Sequence, residues 1–297
     1  MRVLTSISIT LFLSFILFGC GSGNGSDQKS TTEKQQSEPE KQEMRIVTLN
    51  GAITEIIAAA GETDKIVGVD VTSNYPQEVQ KLPKVGHNMK IQAEGILSLE
   101  PTHVLGNEGN IKPEVREQLK QSGVELIMFP ERKFSVEGTN KLVKDVCEAI
   151  DKPEKSSEII SSIKTDLSKL NNFEEKPKVL FIYARGAGTT MIGGTKTPMN
   201  TIIEMAGGKN AITEIEEYQP LTSEALVEAN PDAVLLFNSG AGSLNGSAGI
   251  LNLPGMKATT AGKNKNFIVM DGALLSNFGP RVGKAALELN QKLSEIK

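Results

Sequence analysis

The chain has no tryptophan, only two cysteines and two histidines among its 297 residues, and aromatic side chains make up just 4% of it. Each shortage closes off some chemistry. No HExxH, CxxC or GxSxG pattern occurs, so the zinc-hydrolase, dithiol-redox and serine-hydrolase motifs are missing. With so few rings, a pocket built mainly on aromatic stacking is disfavoured. An excess of one charge is lacking too: 32 basic against 36 acidic residues give a net charge of -4, which offers no electrostatic footprint for nucleic acid. A glycine-spaced run from Gly188 to Gly193 resembles the start of a phosphate-cradling loop, but Gly194 stands where its lysine is required. The nucleotide reading fails there. Hydrolysis by two buried carboxylates that meet in the fold is left open by sequence alone.

What is present begins with a leader. Arg2 is followed by an apolar run over residues 3–18 that ends in Leu17-Phe18-Gly19-Cys20. This looks like a bacterial lipoprotein signal, with residues 1–19 removed and Cys20 left as the lipidated N-terminus, because the apolar run is short for a membrane span. Residues 20–43 are mostly Gly, Ser, Gln, Lys and Glu with almost nothing to bury, and read as a flexible tether of about 25 Å root-mean-square reach. The expected location is the outer face of the cytoplasmic membrane, in a periplasm or at the cell surface. The other cysteine, Cys147, falls within the helical pattern Leu142, Val143, Val146, Ile150 and reads as a small buried hydrophobe, so no disulfide is expected.

The folded part carries an internal repeat. Residues 93–105 and 223–235 align without gaps, matching Glu94 to Glu224, Pro101 to Pro231, Val104 to Val234 and Leu105 to Leu235. Residues 55–61 echo residues 201–207, each an apolar helical run stopped by glycine. Strand patterns over 45–49, 66–70, 103–105, 126–129, 179–183, 233–237 and 267–270 alternate with helical ones. The fold class expected is α/β: two similar lobes with central parallel sheets, residues 44–152 and 173–297, joined by a single long helix over 153–172, with a ligand cleft between the lobes. A stiff helix at the joint limits closure. In such sheets ligands sit beyond the carboxyl ends of the strands, which selects the polar loops at 50–51, 106–109, 184–188 and 238–240.

Residues 45–70, 75–106, 178–211 and 253–281, which cover most of the chain from residue 44 onward, resemble the periplasmic-binding-protein family that serves haem, siderophore and cobalamin importers, nearest to its haem-binding lipoproteins. The resemblance implies a non-enzyme: a monomer that captures haem as a transported ligand, uses no catalytic cofactor, and delivers its cargo to an ABC permease dimer driven by a separate ATPase. Where haem binders often carry a tyrosine after the VG of the segment Lys81-Leu82-Pro83, this chain has His87, a competent axial ligand for haem iron. Where some relatives place a histidine, it has Arg185, which suits a propionate. Tyr183 and Met191 are candidates for the second axial position, and Asn50, Phe278 and Arg281 for the ligand's edge. His103, inside a strand, reads as structural.

Glu94 and Glu224 match the family's surface glutamates, one per lobe, that dock into arginine pockets on the permease. Acids in a helix's first turn are also favoured by its dipole, so the docking and structural readings stand side by side. Two alternatives to haem transport remain: a ferric siderophore (or cobalamin) binder of the same class, with Arg185, Arg281 and Arg132 holding charge, or an extracellular adhesin or sensor domain.

Overall fold

The computed structural model describes residues 43–87, 90–186 and 188–296. The expected signal peptide, the lipidated Cys20 and the tether up to residue 42 lie outside the described residues. Among the described residues no helix is long and apolar enough to cross a membrane.

The first lobe is built on four parallel strands, β1 (Ile46–Thr48), β2 (Ile66–Val69), β3 (His103–Asn107) and β4 (Glu125–Phe129), in the order β2-β1-β3-β4. Every residue of β1 is buried, as a central strand covered on both faces must be. The second lobe carries β5 (Lys178–Ala184), β6 (Thr190–Gly193), β7 (Lys209–Asn210), β8 (Tyr218–Pro220), β9 (Ala233–Phe237) and β10 (Phe267–Met270). Strands β10, β9 and β5 run parallel, with β7 parallel on β5, whereas β6 and β8 add antiparallel to the other side. The second sheet is therefore mixed. Strands β6, β7 and β8 fall outside the seven expected from the sequence, because short segments bearing Gly and Pro show too little alternation to stand out. A tight turn makes β6 possible: the Arg185 N–H donates to the Thr189 carbonyl at 2.8 Å, with Gly186 at φ 70.

The repeat has a structural meaning. Helix Ala93–Leu97 leads to Glu100 at φ 49, the buried Pro101 and then β3; helix Ser223–Ala229 leads to Asn230 at φ 37, the buried Pro231 and then β9. A left-handed residue ends each helix and the proline directs the chain into a strand. The shorter echo behaves alike. Helices Gly51–Ala59 and Pro198–Met205 stop at Gly61 (φ 86) and Gly207 (φ 84), and the next N–H reaches back in each case, Glu62 to the Ile57 carbonyl and Gly208 to the Ile203 carbonyl.

Between the lobes runs the helix Lys155–Leu167, 13 residues long and so shorter than the expected span of 153–172. It stops early because Asn290 captures the chain beyond it: the Asn171 N–H donates to Asn290 Oδ1 at 2.8 Å and Asn290 Nδ2 donates to the Asn171 carbonyl at 2.9 Å. Asn290 is fully buried, so those bonds are sheltered from water. The connecting helix packs along the final helix, Val282–Ser294. A Cβ added at Gly283 would stand 2.6 Å from the Ile163 carbonyl, so only glycine permits this approach.

Residues 277–281 make a second tie between the lobes. The Glu55 carboxylate, on the first lobe's helix Gly51–Ala59, accepts from Asn277 Nδ2 (2.9 Å), Arg281 Nε (2.8 Å) and Arg281 Nη2 (2.6 Å). The Arg281 guanidinium also lies 3.7 Å from the centroid of the Tyr75 ring. Arg132 Nη2 donates to the Asn277 and Phe278 carbonyls at 3.2 and 3.0 Å, and Thr139 Oγ1 donates to the Phe278 carbonyl at 2.9 Å.

Candidate functional site

Parallel sheets place ligands beyond the carboxyl ends of their strands, and both sheets present polar groups there. Beyond β1, Asn50 caps its helix by accepting from the Ala52 and Ile53 N–H groups at 2.9 and 3.4 Å. Its side chain also lines a pocket of about 470 Å³ with Asn107, Asn110, Arg132, Phe134 and, from the second lobe, Asn277. That pocket joins loops after β1, β3 and β4 to the interlobe tie. Arg132 is largely removed from water, and burial lowers its pKa to about 10.

On the second lobe three candidates come together. Tyr183 and Met191 face each other across the β5/β6 pairing, and the Arg185 guanidinium lies 5.5 Å from the Tyr183 ring centroid. Phe237, at the end of β9, meets Tyr183 edge-on at 6.3 Å. Tyr218 of β8 is close by: burial first, then the neighbouring Tyr183 phenol, push its hydroxyl's pKa up. Arg185 itself is exposed, one residue past the end of β5.

His87 stands on the first lobe, in a loop fastened beside the end of β2. The Val85 N–H donates to the Val69 carbonyl and the Val71 N–H to the Gly86 carbonyl, each at 3.0 Å, while Gly86 takes φ 118 to turn the chain outward. The histidine is exposed, and no hydrogen bond or ring contact among the described residues joins its side chain to Tyr183, Arg185 or Met191.

Two expectations for the ligand's edge need correction. Phe278 is 1% exposed: it packs into the second lobe's core and against the Phe134 ring at 5.2 Å, so it offers no free surface to a ligand. Arg281 is held by Glu55 and Tyr75, which satisfies its charge within the protein. Arginine at this position looked free only because its partner lies far away in sequence. Of the residues that line the pocket, Asn50 and Asn107 fall in loops the strand-end rule selects and Arg132 was a candidate for holding charge, whereas Asn110 and Phe134 carry no motif.

His103 binds Thr102 Oγ1 through Nδ1 at 2.7 Å and Glu125 Oε2 through Nε2 at 3.1 Å, a pairing within the sheet. Among the described residues no group of three or more His, Cys, Asp or Glu side chains is placed to hold a bare metal ion. Glu94 and Glu224 are both exposed in the first turns of the two repeated helices.

Two α/β lobes, each with polar loops at the carboxyl ends of its parallel strands, are an architecture that binds ligands. Residues 46–274 match the periplasmic binding protein family, and the chain belongs to that family of substrate-binding proteins. Among curated relatives, the ABC transporter substrate-binding lipoprotein YvrC of Bacillus subtilis is 28% identical, covering 95% of this chain and 94% of its own length. A vitamin B12-binding protein of Vibrio parahaemolyticus is 26% identical over 66% of this chain and 70% of its own. Among solved structures, the apo heme-binding protein RhuT of Roseiflexus superposes with a TM-score of 0.78 at 34% identity, covering 84% of this chain and 97% of that one. The heme-binding protein BhuT, solved with two hemes, gives 0.78 at 32% identity, covering 84% and 98%. The heme-binding protein HmuT gives 0.72 at 29% identity, covering 84% of each chain.

Proposed function

We propose that this protein captures haem outside the cytoplasmic membrane and hands it to an ABC permease whose energy comes from a separate ATPase. The observation that carries the reading is the pairing of Tyr183 with Arg185 at the carboxyl end of β5, the cation lying over the ring at 5.5 Å. HmuT has been solved with a tyrosine and an arginine two positions apart each replaced by alanine, and with a histidine so replaced; Tyr183 and Arg185 stand at the same spacing here.

In this reading His87 supplies an axial nitrogen to the iron from the first lobe. Tyr183, or Met191 across the β5/β6 pairing, supplies the other side, and Arg185 pairs with a propionate. Asn50 meets the ligand's edge. Cys20 anchors the chain to the membrane through lipid, the tether over residues 20–43 gives it reach, and the protein works as a monomer. Glu94 and Glu224, presented at matching places on the two lobes, dock on the two halves of a symmetric permease.

Hemin titration tests this directly. The wild type should develop a Soret band at one or two equivalents; His87→Ala should shift or weaken it, and an unchanged spectrum removes His87 from the iron. Cobalamin and ferric siderophores belong in the same titration, since a relative bears the name of a vitamin B12 binder. Binding of either in place of hemin would move the cargo within the class. Exchange of Glu94 and Glu224 for Lys should leave hemin binding intact and abolish uptake into cells.

A further inference from the structure

We infer that the interlobe pocket beside Arg132 is the seat of an anionic group of the cargo, and that Arg132 selects cargo bearing a carboxylate. This rests on the haem reading above, in which the group is a propionate. Arg132 keeps a full positive charge in a setting without a counter-charge. Its only hydrogen-bond acceptors among the described residues are two neutral carbonyls, both served by Nη2, and its Nε is shut off from solvent with no partner. Burial alone accounts for the depression of its pKa to about 10, with no neighbouring carboxylate pulling the other way. Glu131, which also lines the pocket, is exposed and among the described residues makes no ion pair with it. Arg281 shows the contrast: equally drawn into the interlobe region, it is matched by Glu55 at 2.6 Å.

A largely buried cation without a counter-charge is unfavourable unless something completes it. Here the completing group has somewhere to sit. The pocket of about 470 Å³ is walled by Arg132 and by the side-chain amides of Asn50, Asn107, Asn110 and Asn277, and edged by the Phe134 ring, which is 42% exposed. Guanidinium presents a planar fork to a carboxylate, the Asn50 and Asn107 amides add neutral donors, and the ring covers an apolar flank. Arg132 lines this pocket while its guanidinium holds the Asn277 and Phe278 carbonyls. An anion bound to the same guanidinium is thereby coupled to the tie between the lobes.

Hemin and its dimethyl ester, titrated into the wild type and into Arg132→Gln, separate the possibilities. The expected result is that Arg132→Gln weakens hemin binding about ten- to a hundredfold while the ester, which carries no propionate charge, changes little. Equal loss for both ligands, or none for either, overturns the assignment. A wild type that takes up no hemin overturns the haem reading and this one with it. Should the variant fail to fold, the crystal structure of the hemin-loaded wild type decides: a propionate oxygen within hydrogen-bond distance of the Arg132 guanidinium supports the inference, and both propionates elsewhere overturn it.

Discussion

The two lobes follow one plan in their framework and two plans at the ends of their strands. Helix, left-handed residue, buried proline and strand recur at 93–107 and 223–237 almost element for element. Where the strands open to the cleft the likeness stops. The first lobe ends in amides and a histidine loop, Asn50, Asn107, Asn110 and His87, on a purely parallel sheet. The second adds the antiparallel strands β6 and β8 and gathers Phe181, Tyr183, Tyr218 and Phe237 around them. Repetition serves packing, and the departure from it falls at the strand ends, which are amide-bearing in the first lobe and ring-bearing in the second.

Four measurements break or sharpen that contrast. The largest effect belongs to the tie between the lobes: Arg281→Ala leaves the Glu55 carboxylate, 2% exposed, without its cation. Stability should fall by about 3–5 kcal/mol, read as a lower urea midpoint. Next come Leu105→Ala and Leu235→Ala, at matching places in the repeat and both 0% exposed. Each should lose about 2–5 kcal/mol, and by similar amounts if the frameworks are equivalent. A difference beyond about 2 kcal/mol in urea unfolding would show the two cores to be unequal partners.

The glycine stops should behave unequally despite identical geometry. Gly61→Ala meets open space and pays only for its left-handed backbone, about 1–2 kcal/mol. Gly207→Ala adds a methyl 3.0 Å from the Phe173 ring and should cost measurably more in the same urea unfolding. The smallest effect is a matter of pH. Lys65 and Lys152, bonded to Glu62 at 2.5 and 2.9 Å, hold its carboxyl below the ordinary value of 4.5. A depressed carboxylate stabilises the fold above its ordinary range and loses that contribution as pH falls through the lower folded value. Glu62→Gln should therefore cost under about 1 kcal/mol at neutral pH and flatten the acid side of the stability curve.

Local signals carried much of this fold and little of its joinery. All seven strands expected from alternation are present to within a residue or two, and both glycines end their helices as expected. The class of protein was legible because the family resemblance runs through whole strand-and-turn segments. What escaped was long-range. Glu55 and Arg281, like Arg132 and the carbonyls of 277–278, meet only after the chain has built both lobes, and nothing near either residue announces its partner. Phe278 misled for the same reason: a left-handed backbone at φ 49 turns its ring inward, where an aromatic in a loop suggested an open surface.

The close seam between the connecting and final helices, where Gly283 lies against the Ile163 carbonyl, bears on how loading should register in a calorimeter. With that seam and the Glu55 clasp already formed, little of the polypeptide has to become ordered when a guest arrives. The heat-capacity change on loading should then track the guest's own apolar surface, with no added signature of coupled folding.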